Sequence, residues 1–142
     1  MKNKIRLGMV GGGKDAFIGA VHRMAARMDD KYDFVAGCLS STPEKSKISA
    51  KEINLDLNRS YPDFKTMAEE EAKRADGIEV VSIVTPNHMH AKPAIAFLEK
   101  GIHVICDKPM TATMDEAYNL YLSLIHISEP TRPERISYAL FW

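Results

Sequence analysis

Apolar positions along the chain fall into two alternating patterns. Short runs at Ile5 to Val10, Phe34 to Leu39, Glu79 to Val84 and Ile102 to Cys106 are nearly continuous in apolar side chains, as in strands covered on both faces. Between them lie segments with helical spacing: Phe17 to Met28, Pro43 to Ile53, Asp63 to Arg74 and about His90 to Lys100, with a fifth from Asp115. This order predicts an α/β doubly wound parallel sheet with right-handed helical crossovers. In the first helix Phe17, Val21, Met24 and Met28 recur at steps of four, three and four, so this stripe is expected to pack on the sheet. Met24 and Met28 are then core filler. Gly101 supplies a left-handed helix stop, and Pro93 fits only in the first turn of its helix.

The 142 residues suffice for one domain and are too few for a cofactor domain plus a full substrate domain. Lysine plus arginine number 19 and aspartate plus glutamate 19, with the basic residues scattered, so neither nucleic acid nor a membrane surface is an expected partner. The apolar run after the basic start stops at Val10, too short for a signal-peptide core, and no stretch reaches the length of a membrane span. A cytoplasmic location is expected. Cys38 and Cys106 each sit in a predicted strand and read as buried, reduced thiols; they lack the paired spacing of a zinc site.

Gly11, Gly12 and Gly13 follow the first strand and precede an amphipathic helix, which is the G-x-G half of a dinucleotide fingerprint in its proper context. Small residues there let the backbone turn tightly and approach a pyrophosphate, whose charge meets amides at the helix start. Ala16, Phe17 and Ile18 therefore join the three glycines as cofactor-binding candidates. The third small position is Ala16 by strict spacing, or Gly19 if the loop is about three residues longer. A plain triple-glycine turn has the same local sequence. At the end of the second strand no acid stands where a carboxylate takes the ribose 2'-hydroxyl. Ser40 and Ser41, with Lys45 or Lys47, can instead accept a 2'-phosphate, which tilts the choice between NAD and NADP toward NADP. Ser41 or Thr42 can also be a helix cap before Pro43.

Three further stretches follow in order: Thr85-Pro86-Asn87-His88-Met89-His90, then Leu98 to Val104, then Cys106-Asp107-Lys108-Pro109. With Gly19-x-x-His22 they resemble the cofactor domain of the glucose-fructose oxidoreductase, inositol dehydrogenase and MocA family (Gfo/Idh/MocA) over about residues 3 to 121. The family's Thr-Pro-Asn-x-x-His run falls on Thr85, Pro86, Asn87 and His90. Its Glu-Lys-Pro motif falls on Asp107, Lys108 and Pro109, with aspartate in place of glutamate. The match at Gly19 favours the longer glycine loop.

The resemblance implies a Rossmann-type NAD(P)-binding domain, truncated before a second, α+β domain that holds the substrate and supplies a catalytic histidine. The whole protein would pass hydride between a nicotinamide and a hydroxyl or carbonyl carbon of a sugar, polyol or related small molecule, and would be a homo-oligomer. Lys108 is then the catalytic residue, beside the nicotinamide and the reacting hydroxyl, where a cation stabilises a developing alkoxide and can act in proton transfer. Thr85 and Asn87, at the carboxyl edge of a central strand, can reach ribose and nicotinamide, and Asn87 can equally be only a cap. His88 and His90, two apart, point to different faces, so no metal is expected. His90 is assigned to shaping the pocket, His88 and His103 to surface or packing, and His22 to a helix face or a cofactor contact. A non-catalytic cofactor-binding regulator or sensor is the alternative reading, and a domain for some other nucleotide a third.

Residues from Leu122 onward resemble the translation of a synthetic sequencing-library adapter. Periodicity through Asp115, Ala117, Tyr118 and Tyr121 gives way there to a stretch with Pro130 and Pro133. The expected organisation is therefore a cofactor domain over 1–121 and a non-native tail over 122–142, excluded from fold reasoning, with weak cofactor binding and no turnover by the chain alone.

Overall fold

The computed structural model describes residues 4–128 and 140–141. Strands β1 (Ile5–Gly11), β2 (Tyr32–Cys38), β3 (Val80–Val84), β4 (His103–Cys106) and a two-residue β5 (Leu140–Phe141) form one parallel sheet in the order β2-β1-β3-β4-β5. Helices α1 (Phe17–Met28), α2 (Pro43–Glu52), α3 (Phe64–Lys73), α4 (Ala91–Glu99) and α5 (Met114–Ser128) run between them. This is the doubly wound Rossmann arrangement that the alternation of patterns predicts. Strand order reverses between β1 and β3, which puts the topological switch point, where such sheets bind ligands, at their carboxyl ends. Gly11 pairs with Val84, and Ile83 with Cys106, so β1, β3 and β4 finish along one edge.

Beyond β2 the sheet is extended by a single parallel bridge, Gly37 to Ser60, with the Tyr61 N–H on the Gly37 carbonyl at 2.8 Å. A buried ionic group holds this remnant of a strand. Glu71 accepts from Arg59 Nε at 3.0 Å, from the Tyr61 hydroxyl at 2.7 Å and from the Ile78 amide at 3.0 Å. It thereby ties the segment after α2, helix α3 and the entry to β3 together. Burial and the Glu71 carboxylate push the Tyr61 phenol well above its ordinary range.

Strand side chains alternate between two cores. Val81 and Ile83 pack with Val10, Met67, Phe97 and Leu98; Met9 and Val84 pack with Leu39, Ala50 and Leu55. Each fully buried side chain of this kind contributes about 1.5–3 kcal/mol relative to an exposed one. Pro93 lies in the first turn of α4, as required, and Gly101 (φ +73°) ends that helix with the Ile102 N–H on the Phe97 carbonyl at 3.0 Å.

One expectation is corrected. The stripe of α1 does not pack on the sheet: Phe17 is 81% exposed, Met24 66% and Met28 80%, and Val21 is exposed too. Gly19 is the buried residue of this helix, with Ile18, His22, Arg23 and Ala26 beside it at intermediate burial. At about 100° per residue the apolar stripe lies on the face opposite Gly19. Close backbone contact at Gly19, described below, sets the rotation of the helix and overrides its amphipathicity. Helix α5 runs to Ser128, with Leu120 buried and Leu124 packed against the same core one turn later. The rest of the expected tail, residues 129–139 and Trp142, lies outside the described residues.

Candidate cofactor-binding site

The glycine segment ends β1 in a conformation that side chains resist. Gly11 and Gly12 have φ of +82° and +70°, and a Cβ on Gly12 would lie 2.8 Å from both the Gly19 Cα and the Val84 Cγ2. A Cβ on Gly19 would lie 2.3 Å from the Gly12 Cα. Gly19 is therefore the third small position, where helix and strand backbones touch, and the loop is the longer of the two variants. Ala16 becomes the N-cap of α1. That helix start has neither a side-chain cap nor an acidic residue in its first turn. The first-turn amides, including those of Phe17 and Ile18, precede the first intrahelical bonds and sit at the positive end of the helix dipole. The Phe17 side chain faces solvent and Ile18 packs against the core, so any contact these two make with an anion is through the backbone. From below, Arg23 Nη1 donates to the Gly12 carbonyl, which steadies the turn. Burial and the nearby Arg27 lower the Arg23 pKa.

In front of this loop lies a cavity of about 520 Å³. Gly11, Gly12, Gly13 and Ala16 form its floor, Ser40 and Ser41 one wall, and Thr85 and Pro86 another. Lys45 lines an adjoining cavity of about 440 Å³ with Lys14, Ser40 and Ser49. Lys14 is paired there with Glu52 at 2.8 Å, a hydrogen bond that raises its pKa, and its N–H donates to Ser49 Oγ at 2.9 Å. Thr42 is the N-cap of α2 and Pro43 its first residue, but no side chain caps the helix. Ser40 and Ser41 thus stand on the cavity wall and not in a cap.

The third wall consists of Pro62, Asp63 and Phe64, which the sequence pattern did not single out. They arrive through the Gly37–Ser60 bridge, a contact across 23 residues that no local signal announces. Asp63 caps α3, accepting from the Thr66 N–H and hydroxyl at 2.8 Å each, and these bonds hold its carboxyl below the usual range. Cys38 also lines the cavity; burial pushes its thiol up to about 11, and that of Cys106 likewise.

Asp107, Lys108 and Pro109 leave β4 on the same edge but do not line the glycine cavity. The Asp107 N–H donates to the Ile83 carbonyl at 3.0 Å, and the exposed Lys108 has its N–H on Asp107 Oδ1 at 2.9 Å. Asn87 opens a short 3-10 turn (Asn87–Met89) as an exposed residue, and α4 starts without a side-chain cap. His90 is 1% exposed and lies behind the cavity, with Nδ1 2.6 Å from the Pro109 carbonyl and Nε2 2.8 Å from that of Thr85. His22 faces the middle of the sheet, bonded to Ser82 Oγ at 2.8 Å beside an apolar hollow of about 330 Å³, away from the glycine loop. Among the described residues no helix is long and apolar enough to cross a membrane.

Comparison with known proteins agrees with this geometry. The GFO_IDH_MocA family model, described as "Oxidoreductase family, NAD-binding Rossmann fold", matches residues 5–125. An uncharacterized oxidoreductase of Bacillus subtilis, YfiI, is 43% identical over 117 residues, which cover 82% of this chain and 30% of that protein. The crystal structure of an oxidoreductase from Sinorhizobium meliloti superposes with a TM-score of 0.85 at 54% identity, covering 99% of this chain and 36% of that one. An inositol dehydrogenase homologue from Azotobacter vinelandii, solved with NADH and myo-inositol, superposes with a TM-score of 0.84 at 39% identity, covering 89% and 34%. The chain spans about a third of the length of these relatives.

Proposed function

The chain belongs to the Gfo/Idh/MocA oxidoreductase family, and from that premise we propose that it is the nicotinamide-cofactor half of an enzyme acting on a hydroxyl-bearing carbon of a sugar or polyol. The observation that carries the reading is the cradle at Gly12 and Gly13. A Cβ on Gly13 would fall 2.4 Å from the Leu39 carbonyl and 2.7 Å from Ser49 Oγ, so only glycine lets the loop pack this tightly and present bare backbone to the cavity beside the uncapped start of α1. That site fits a pyrophosphate: a floor of bare backbone, free of acidic side chains, at the positive end of a helix. Leu39, Pro62 and Phe64 offer apolar walls for an adenine. Thr85 and Pro86 bound the opposite end of the cavity, where the nicotinamide half would extend toward Asp107 and Lys108.

When bound, the cofactor supplies the carbon that gives or takes a hydride; the chain's residues supply position and charge. Lys108, exposed at the end of β4, presents an ammonium group to a substrate lying against that end. A cation there favours the alkoxide form of the reacting hydroxyl. At the other end, Ser40 and Ser41 with Lys45 form a wall that a 2'-phosphate suits better than a carboxylate-bound ribose, so the site takes NADP at least as readily as NAD. The relative solved with NADH and myo-inositol supports the substrate class.

The test of this reading uses the uninterrupted protein with its second domain. Lys108→Ala is expected to lower kcat about 10²–10⁴-fold while cofactor affinity changes little, as for loss of a general acid–base or charge-stabilising group. Equal losses in both would make Lys108 a binding residue only.

A further inference from the structure

His90 is the one histidine among the described residues that is both fully buried and engaged at each ring nitrogen. Its two partners, the carbonyls of Thr85 and Pro109, can only accept. Both ring nitrogens face these backbone oxygens, at 2.6 and 2.8 Å, and neither is left for a ligand. The imidazole therefore does not touch a cofactor or metal. What it joins is two loops of different origin: Thr85 lines the glycine cavity directly after Val84, the partner of Gly11 in the sheet, and Pro109 directly follows Lys108. On the other side of Lys108, Asp107 is tied to β3 through the Ile83 carbonyl. The lysine backbone is thus bracketed by one sheet bond and one imidazole bond, while its side chain projects into solvent.

We propose that His90 is a positioning residue that straps the Lys108 loop to the cavity wall, so that cofactor seated against Thr85 is felt at Lys108. The inference rests on the cofactor reading above. A change in Thr85 or its peptide is passed through a rigid ring to the residue next to the lysine, with a ring nitrogen against a carbonyl at each end. Glutamine in place of His90 carries both donor protons on one nitrogen, which is too compact to span two carbonyls set against separate nitrogens of an imidazole ring.

The experiment follows the Lys108 side-chain NMR signals of the labelled chain during titration with NAD. In the unaltered chain these signals are expected to shift with cofactor binding. In His90→Gln the response at Lys108 is expected to be largely lost while NAD affinity changes by less than about threefold, well under 1 kcal/mol. No response at Lys108 in the unaltered chain, or an undiminished one in the variant, overturns the strap. If the variant does not fold, the unaltered chain decides: a slowly exchanging ring N–H signal of His90 supports the strap, and the absence of any overturns it. Failure of NAD to bind the unaltered chain at all is seen separately in the remaining signals, and it removes the cofactor reading instead.

Discussion

Burial holds the thiols of Cys38 and Cys106 protonated, with pKa values pushed up from 9.0 to about 11. In the unfolded chain they ionise near their ordinary value, so the folded state binds the proton more tightly between those limits. Their contribution to stability is accordingly complete below about pH 9, declines as pH rises toward 11, and is gone above it. A fall of unfolding free energy on the order of 2 kcal/mol per thiol is expected across that window. Urea titrations at several pH values check this, and Cys38→Ala with Cys106→Ala should flatten the profile. At neutral pH the same burial makes both thiols slow to alkylate, although Cys38 lines the cavity. Residues such as these were legible as strand cysteines from their apolar neighbours alone. Lys14 was not: its pairing with Glu52, which places it beside Ser40 and Ser49, depends on how α2 lies against the glycine loop.

Helix α1 is the element where pattern and packing part. Its apolar residues recur with helical regularity, and the reading that they face the sheet follows from amphipathicity. The Gly12–Gly19 backbone contact is a stronger constraint, since no rotation that buries Phe17 and Met24 keeps Gly19 against the turn. Substituting Met24 or Met28 by Gln should therefore change stability by no more than about 0.5 kcal/mol, as for exposed positions. Phe97→Ala, in the core under α4, should cost about 3–5 kcal/mol. Chemical denaturation of the three variants measures the contrast; a loss at Met24 comparable to that at Phe97 would restore the sheet-facing stripe. Strand boundaries, by contrast, were legible to within two or three residues, because turn residues such as Gly11 to Gly13, Ser40 to Pro43 and Thr85 to Asn87 bound the short apolar runs. The buried face of α5 was not, because Leu120 and Leu124 pack on the core while Tyr118 and Tyr121, picked out by the spacing, are exposed.

At the scale of the molecule, the candidate site depends on four loops meeting at one edge of a parallel sheet. Three of them, after β1, β2 and β3, carried residues that could be read directly. The fourth, Pro62 to Phe64, reaches the cavity only because a single bridge and the Glu71 cluster fold the chain back beside β2. Long-range closure of this kind leaves no periodic trace in the sequence. Lys108 stands one strand away from the cavity, joined to it through β3, and the enzymatic reading requires cofactor to bridge that step.

Thermal melting of the chain with and without NAD and NADP tests this most directly. At a cofactor concentration a hundredfold above Kd the account expects stabilisation of about 2.7 kcal/mol and a rise in Tm of roughly 5–10 °C. A Tm unmoved by either dinucleotide would contradict it.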